Sequence, residues 1–498
     1  MKYELQTIQE PLLEFGFNQK TIDPRDGIML FGPHTKGKLD IGNFGVIGTS
    51  QGIERMKKWL KSIEQPIFSK TPDIARPFFP GIEAAFDFNV NMEGLQQIVV
   101  LDKEIDRYLK YKDKFQRVHN WVNMFTSKLI KFKEEEEVPV TVWFVVIPED
   151  IYTYSRPQSR NPSEANVNIG LKSNYERFND SLFPDINELR EAYQYEVNFH
   201  NQLKAKLLKY GIITQIIREG TIAYRELLKS DFQIDYEEKF DSAKAWNIST
   251  TLYYKSGGLP WKLASVRDGV CYIGLVYKKI EGVQNKNTAC CAAQMFLDSG
   301  DGLVFKGNVG PWYNPENHEY HLSKDSAFDL LNKALQTFKK RNNKYPKEIF
   351  IHGKTYFDDV EWQGFEDAVK SKSKVIGVRI RTDSNLKLYR EHTYSVPRGM
   401  ALLISENEAY LWTKGFVPRL QTQMGLETPN CLNIRVTRGS SDIRTVCADV
   451  LSLTKLNYNA CIYGDGIPVT LRFADMIGEV LTAGPTEDIE ILPFKHYI

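Results

Sequence analysis

The stretch HNQLKAKLLKYGIITQIIREG, residues 200–220, holds the patterns of a helix, a turn and a strand in direct succession. Leu203 and Leu207 give one apolar face at helical spacing, and Gly211 ends the helix. The run 212–217 that follows is rich in isoleucine and predicts a short strand. A helix that passes through a turn into a strand favours an α/β layer at this point of the chain.

Four polar side chains of this stretch and its continuation are candidates for one binding site. His200 and Lys204 are one helical turn apart, so they project from the same face. Gln215 lies on the predicted strand, and Lys255 stands before a Gly-Gly pair that would let another backbone approach closely. Each side chain can donate a hydrogen bond, so together they predict a site for an anion such as a terminal phosphate. The alternative for the first two is a solvated helix face.

The bulk composition fits an ordinary globular protein. The 498 residues predict about three domains with ample chain for sizeable cores. Hydrophobic residues make up 42% and charged residues 26%, which excludes a disordered chain. The formal net charge is only +1, so a nucleic-acid partner would need a local basic groove. This balance favours a protein that works with a second chain.

Cysteine usage and the N-terminus bear on the compartment. The six cysteines form no CxxC pair and no zinc-binding spacing, which predicts buried free thiols in a reducing environment. The N-terminal segment MKYELQTIQEP lacks the pattern of a signal peptide. No apolar run approaches the roughly eighteen residues of a membrane-spanning helix. These features predict a cytoplasmic protein.

The first half of the chain predicts a Rossmann-like layer that ends near residue 260. Gly45–Thr49 reads as a strand and turn that lead into a helix, and packing explains its glycines because the Walker lysine spacing is absent. The run VTVWFVVI, residues 140–147, is typical of a strand buried on both faces. Residues 152–186 are rich in Ser, Asn and Pro and predict an exposed loop.

The second half changes pattern at residue 270. Three strand-like segments joined by short turns come first: CYIGLVYKK, ACCAAQMFL and GLVFKG. A helix at about 322–342, the strand EIFIHG, a second helix and the strand VIGVRI follow. Helical patterns close the chain at DIRTVCADVLSLTKL and LRFADMIGEVL. The order predicts an RNase H-like arrangement, so the whole chain is expected to be α/β.

The series His-x3-Lys-x10-Gln, followed by Lys-x-Gly-Gly, resembles the guide-anchoring pocket of the Argonaute MID domain. The RNase H-like half resembles the PIWI domain. Too few residues precede position 140 for the N and PAZ domains of long Argonautes, so the resemblance is to a short prokaryotic Argonaute. Segments such as YIGLVYKK, ACCAAQMFLD, VGPWYNP and LSLTKLNYNA are similar to the SPARTA type. The resemblance implies a MID domain with an N-terminal extension, 1–260, and a PIWI domain, 261–498.

The resemblance assigns the pocket residues. It implies that His200, at a position often aromatic, Lys204, Gln215 and Lys255 bind the 5′-phosphate of a guide strand. Thr251 stands where other Argonautes often place Lys or Gln, which leaves one phosphate or metal contact open. The family's terminal carboxylate helps to bind a divalent cation, so the resemblance makes Ile498 a candidate ligand of Mg²⁺ at the guide phosphate. A frayed apolar tail is the alternative.

The same resemblance implies that the nuclease centre is lost. Two-metal cleavage needs several carboxylates around the scissile phosphate. The Gly-x-Asp pattern of active PIWI domains ends here in Val276, and Gly353 occupies the position of the aspartate at the end of the fourth strand. Asp475 alone survives, and one carboxylate cannot hold two cations. We therefore expect no cleavage activity.

Other residues near these positions are better explained without chemistry. His352 neighbours the lost aspartate, but a lone histidine at a strand end is more often structural. Asp298 and Asp301 fit a hairpin turn, which leaves Asp359 without partners for a rebuilt metal cluster.

The resemblance implies a guide-loaded recognition subunit. It would bind guide RNA and single-stranded target DNA, and it would pair with a TIR-APAZ protein that oligomerises on target binding and hydrolyses NAD(P) in defence against plasmids or phage. Two alternatives stay open: an active guided nuclease, and a short Argonaute that serves a sirtuin-like or membrane-associated effector. Six basic residues give the junction of the two halves a local positive bias that suits nucleic acid. They are Lys255, Lys262, Arg267, Lys278, Lys279 and Lys306.

Overall fold

The computed structural model describes residues 3–35, 43–69, 73–159, 190–264, 267–279, 289–296, 302–314, 316, 318–485 and 492–498. Within these residues, most strands belong to a four-stranded or a nine-stranded sheet, and the others form three small sheets of two or three strands.

The strands, numbered in chain order, are β1 (Glu4–Thr7), β2 (Leu13–Glu14), β3 (Lys20–Thr21), β4 (Asn43–Gly48), β5 (Gln96–Val99), β6 (Val140–Ile147), β7 (Thr214–Arg218), β8 (Lys262–Leu263), β9 (Val270–Lys279), β10 (Ala289–Phe296), β11 (Gly302–Gly310), β12 (Tyr313–Asn314), β13 (Glu319–Tyr320), β14 (Glu348–Gly353), β15 (Lys374–Asp383), β16 (Met400–Ser405), β17 (Glu408–Leu411), β18 (Gly415–Val417), β19 (Thr422–Met424) and β20 (Cys431–Arg438).

The α-helices are α1 (Pro24–Phe31), α2 (Ser50–Ser62), α3 (Ile82–Phe86), α4 (Asp102–Leu109), α5 (Lys114–Glu135), α6 (Glu149–Tyr154), α7 (Phe199–Leu208), α8 (Glu219–Ile222), α9 (Tyr224–Leu227), α10 (Asp231–Glu238), α11 (Asp241–Lys255), α12 (Lys324–Asn342), α13 (Asp359–Val369), α14 (Ile443–Leu453) and α15 (Val469–Leu481). Three short 3-10 helices are Gly16–Asn18, Pro418–Leu420 and Phe494–His496.

The four-stranded sheet is parallel and has the order β5-β4-β6-β7. Its strand β6 is buried from Val142 onward, which confirms the prediction made for the run VTVWFVVI. The glycine-rich turn before α2 also packs as predicted, since a Cβ on Gly45 would lie 2.4 Å from the ring of Trp143. Thr49 caps α2 by accepting a hydrogen bond from the Gly52 amide at 2.9 Å.

The helix and strand of the opening stretch are both present. Helix α7 buries Leu203 and Leu207 in the core against α5, and Gly211 follows it with a left-handed φ of 60°. Strand β7 begins at Thr214 rather than at residue 212. The prediction is therefore confirmed except for the start of the strand.

Helix α11 delivers Lys255 as its last residue, an element that the sequence patterns did not predict. The Gly-Gly pair after it does not admit another backbone. Gly257 has a φ of 100°, and nothing lies within 4 Å of the place where its Cβ would be. The glycine instead lets the chain leave the helix in a conformation that L-residues rarely adopt.

The nine-stranded sheet has the order β1-β16-β17-β20-β15-β14-β9-β10-β11. Antiparallel β9, β10 and β11 and parallel β14 and β15 match the predicted segments. Helices α12 and α13 share a hydrophobic core with one face of the sheet, and α15 packs on the other face against β9. Strand β1 pairs with β16, so the N-terminal extension contributes to this sheet as well.

Several sequence predictions concern segments at the edge of the described structure. The predicted loop at 152–186 begins inside α6, and its residues 160–186 lie outside the described residues, as do Asp298 and Asp301. The four cysteines with described side chains are buried free thiols, as predicted: Cys271, Cys431, Cys447 and Cys461. Among the described helices, none combines the length and the apolar composition that crossing a bilayer requires.

Candidate anion-binding site

Two buried lysines converge on one backbone carbonyl. Lys204, on α7, donates from Nζ to the carbonyl oxygen of Thr214 at 3.3 Å. Lys255, at the end of α11, donates to the same oxygen at 2.8 Å. Thr214 is the first residue of β7, so the edge of the parallel sheet brings both helices' cations together. No sequence pattern predicts this acceptor, because any residue type supplies a carbonyl.

The other predicted residues complete the site. The side-chain oxygen of Gln215 accepts a hydrogen bond from Lys255 Nζ at 2.7 Å. Lys204 Nζ also donates to the carbonyl oxygen of Ile498 at 2.5 Å. Ile498 is only 3% exposed and joins the main core, so the alternative of a frayed apolar tail is wrong.

The two ammonium groups lack a side-chain counter-ion among the described residues. Burial lowers the pKa of Lys204 to about 7. Burial, and then the charge of Lys204, lower the pKa of Lys255 well below its ordinary value. Burying like charges without a carboxylate is costly, so the site favours the entry of an anion.

His200 and Gln215 line a cavity of about 780 Å³, which we call the anchor cavity. The two lysines are not on its wall, and Lys255 reaches it through Gln215. The remaining lining includes Tyr152, Arg156 and Arg218. The guanidinium of Arg156 lies 4.1 Å from the centroid of the Tyr152 ring, and that of Arg218 lies 4.2 Å from it. The cavity therefore offers cationic and aromatic surface side by side.

Arg218 is fixed by a carboxylate. Glu149 accepts its Nε and Nη2 hydrogen bonds at 2.8 and 2.5 Å, and the same carboxylate accepts the Gly220 amide at 2.9 Å. Sequence reasoning missed these cavity residues, since the bond between Arg218 and Glu149 joins chain positions that no motif relates. The pair holds Arg218 over the ring of Tyr152.

His200 is exposed on the cavity wall, and its Nδ1 lies 3.0 Å from Oδ1 of Asn201. Loss of solvation within the cavity, and then the charges of Lys204 and Lys255, lower the pKa of His200 to about 4. The ring is thus neutral at pH 7. Thr251 does not face the anion position, because its hydroxyl donates to the Asn247 carbonyl of its own helix at 2.9 Å.

Two of the three degenerate nuclease positions lie on neighbouring strands, and the third lies on α15. Val276 is buried on β9, and Gly353, the last residue of β14, pairs with Leu275 of β9. A Cβ on Gly353 would point to Phe357 at 3.1 Å. The next residue along the chain, Lys354, bonds to the carboxylate of Asp475 on α15 instead.

His352 and Asp359, which lie near the degenerate nuclease positions, contact other side chains of the fold. His352 is fully buried and its Nδ1 lies 3.0 Å from the Thr470 hydroxyl, which supports the structural interpretation. Burial lowers the pKa of His352 to about 3. Asp359 has an arginine as its partner, because Arg438 Nη2 donates to it at 2.6 Å.

The predicted positive bias at the junction is largely neutralised. Lys262 pairs with Glu14 at 2.9 Å. Arg267 bonds to Asp449 at 2.5 Å and to Glu348 at 2.6 Å. The side chain of Lys306 lies outside the described residues. The bias was overstated because the acids that pair with these cations are distant in sequence.

Comparison with known proteins links this fold to Argonautes. No model of a known protein family matches the sequence. Over 330 residues the chain is 20% identical to Protein argonaute of Aquifex aeolicus, a match that covers 63% of this chain and 42% of that protein. The fold matches Clostridium butyricum Argonaute, solved with a guide DNA and a 19-mer target DNA, with a TM-score of 0.62 at 17% identity. It matches Drosophila Piwi with a TM-score of 0.58 at 14% identity.

The two structural matches cover 99% of this chain but 55% and 57% of the matched chains. The chain therefore spans about half the length of the proteins that it resembles. The predicted α/β fold class is confirmed. The chain is similar in sequence to one Argonaute protein, and it has the fold of part of the Argonaute and Piwi structures.

Proposed function

We propose that this chain binds the 5′-phosphate of a short guide RNA at the Gln215 side of the anchor cavity, next to the two buried lysines, and pairs that guide with single-stranded target DNA. The observation that carries the proposal is the pair of buried ammonium groups on the Thr214 carbonyl, which lack a carboxylate side chain among the described residues. A phosphate dianion supplies the missing charge and accepts several hydrogen bonds at once.

The energetics favour a phosphate over a neutral end group. A charge-assisted hydrogen bond is worth about 1.5–3 kcal/mol, and two lysines with Gln215 offer several. A 5′-hydroxyl leaves the ammonium groups as they are in the empty site. The ratio of affinities for guides with a 5′-phosphate and with a 5′-hydroxyl therefore measures directly what the site contributes to guide binding.

Magnesium enters the proposal only together with the phosphate. The oxygens of Ile498 and Gln215 each accept a hydrogen bond from a lysine, and Glu479 is the one carboxylate among the described residues that line the cavity. These residues do not form a site for a divalent cation by themselves. Phosphate oxygens would supply the missing ligands, with Ile498 as the candidate ligand from the protein.

The proposal includes no cleavage of the target. Asp475 is the one carboxylate at the three degenerate positions, and both of its oxygens already contact lysines. The groove would instead hold a guide–target duplex by shape and charge. A sequence similarity to short Argonautes of the SPARTA type supports a TIR-APAZ protein as the partner, with the NAD(P)-hydrolysing activity in that second chain.

Guide binding is tested with one oligonucleotide carrying either a 5′-phosphate or a 5′-hydroxyl. We expect at least tenfold tighter binding of the phosphorylated form. Lys204→Met with Lys255→Met should remove the difference, while Lys324→Met, which changes an exposed lysine paired with Asp367, should leave it unchanged. Equal affinity for both guides in the unmodified protein contradicts the proposal.

Two further experiments separate the alternatives. Incubation with guide, matched target and Mg²⁺ or Mn²⁺ should leave the target intact, and a cut strand would favour the guided nuclease. Co-purification with the natural partner should recover a TIR-APAZ chain, whose NAD(P) hydrolysis should require both guide and target. Recovery of a sirtuin-like or membrane-associated protein would assign the chain to a different effector.

A further inference from the structure

The surviving carboxylate of the degenerate centre bridges two ammonium groups. Lys278 Nζ lies 3.4 Å from Oδ1 of Asp475, and Lys354 Nζ bonds to its other oxygen, Oδ2. Lys278 follows Val276 by two residues on β9, so both point to the same face of the sheet. Lys354 directly follows Gly353. A two-metal nuclease likewise places two cations beside its scissile phosphate.

The two ammonium groups keep hydrogen-bond donors for a further partner. Each ammonium has three donors. Lys278 contacts Asp475 and Glu479, whereas Asp475 is the one carboxylate that Lys354 contacts among the described residues. Their side chains are 28% and 45% exposed, so an anion can reach both. Burial alone would lower the pKa of Lys278, but Asp475 and Glu479 together raise it, and the group stays charged at neutral pH.

Basic side chains continue from the cluster along the ends of the next strands. Arg379 on β15 is the register partner of Gly353, and Arg435 on β20 lies opposite Arg379. Both guanidinium groups lie against the ring of Tyr356, at 4.5 and 5.9 Å from its centroid. Like charges opposite each other destabilise a sheet, and the nearest carboxylate, Glu408, is 4.0 Å from Arg435. This arrangement fits a surface that meets a polyanion.

We infer that Lys278 and Lys354 bind one phosphodiester of the target strand, in the place where active relatives of the fold would hold divalent cations. Asp475 is a positioning residue that keeps the two ammonium groups at a fixed spacing. The site takes an internucleotide phosphate and requires no metal ion. The inference rests on the proposed function, because it concerns the strand that pairs with the guide.

Exposed ion pairs alone do not account for the cluster as a stabilising device. Such pairs contribute little to stability, because two long side chains lose rotamer freedom and water screens the charges. A phosphate that meets both ammonium groups gains two charge-assisted bonds on a preformed frame. The cluster is therefore better explained by binding than by folding.

The test uses the full chain loaded with a 5′-phosphorylated guide and a series of target strands. Each target carries a single uncharged methylphosphonate linkage at a different position, and its dissociation constant is measured with Mg²⁺ and with a chelator. In the unmodified protein, we expect one linkage or two adjacent linkages to weaken binding at least tenfold, with or without the metal. In the variant Lys278→Met with Lys354→Met, the same linkages should have no special effect.

Two further variants keep the result interpretable. Adding Asp475→Asn to the double variant removes the carboxylate that the methionines would leave unpaired, and it should give the same flat profile. Lys324→Met should keep the profile of the unmodified protein. A chain that binds guide and target but shows the same position profile in the double variant overturns this inference alone. Failure of the unmodified chain to hold a phosphorylated guide overturns the proposed function and the inference together.

Discussion

Affinity for a 5′-phosphorylated guide should fall as the pH rises above 7. In the guide-free site, burial holds the pKa of Lys204 at about 7 and that of Lys255 well below its ordinary value. A bound phosphate dianion favours the charged form of both lysines, so guide binding takes up protons. The imidazole of His200 has a pKa of about 4 and does not titrate between pH 6 and 9.

The size of the effect follows from proton linkage. Uptake of one proton weakens binding tenfold for each pH unit above the pKa of the free site. From pH 7 to pH 9, Lys204 alone accounts for about a fiftyfold loss, and uptake by Lys255 steepens the slope. Below pH about 6 the phosphate itself loses its second charge, which weakens binding from the other side. The affinity should therefore peak between about pH 6 and pH 7.

The assay is fluorescence anisotropy of a labelled guide over pH 5.5 to 9, with the 5′-hydroxyl guide as the control. Lys204→Met should reduce the slope above pH 7 for the phosphorylated guide, because it removes one of the groups that take up a proton. Affinity for the hydroxyl guide should change little over the same range. A flat profile for the phosphorylated guide, or a parallel loss for both guides, would refute the reasoning.

Three further predictions concern stability. Lys204→Met should raise the free energy of unfolding at pH 7, because burying the ammonium costs about 4 kcal/mol, whereas the Ile498 oxygen left without its donor costs about 1–3 kcal/mol and the Thr214 carbonyl keeps Lys255 as its donor; a lower melting temperature would contradict this. Hydrogen bonding to Glu361 raises the pKa of His321 to about 9. In urea titrations, the difference in free energy of unfolding between the unmodified protein and His321→Gln should therefore be largest below pH 6.5 and should vanish as the pH rises through 9. Gly274→Ala should destabilise the protein by more than about 3 kcal/mol, because the new Cβ would lie 1.9 Å from the Thr470 carbonyl, whereas Gly257→Ala, at an open position, should cost about 1–2 kcal/mol in the same thermal melts.

Local patterns predicted the elements whose apolar spacing is strong. The strand 140–147 is buried from Val142 onward, and its β-branched run could hardly form anything else. Helix α11 was missed because its sequence DSAKAWNISTTLYYK holds β-branched and aromatic residues that disfavour a helix. Its burial of Trp246, Leu252 and Tyr253 in the main core overrides that preference. Tertiary packing, which no local window contains, decided this element.

The candidate site was predictable only where side chains follow a motif. Lys204 and Lys255 meet as expected, but the atom that joins them is the Thr214 carbonyl, which leaves no trace in the sequence. Lys354 is one surface lysine among many until α15 brings Asp475 to it across 121 positions of the chain. Residues that act through such distant contacts need coordinates to be found.

The two lysine pairs differ in counter-charge, and this difference separates their roles. Lys204 and Lys255 are 2% and 1% exposed and lack a carboxylate side chain among the described residues, so an incoming phosphate supplies a counter-charge that no described side chain provides. The pair around Asp475 is already neutralised and partly exposed.

Salt screens exposed charges within about 10 Å at 0.1 M but acts weakly on buried ones. Raising the salt concentration should therefore lower the affinity for the target strand. The ratio of affinities for guides with a 5′-phosphate and with a 5′-hydroxyl should stay nearly constant. The salt titration should be run on guide binding and on target binding. If the ratio of affinities for the phosphorylated and the hydroxyl guide fell as steeply as target affinity, the two lysine pairs would not have these separate roles. In that case the guide phosphate would have to lie at an exposed surface, and the buried lysines could not be its anchor.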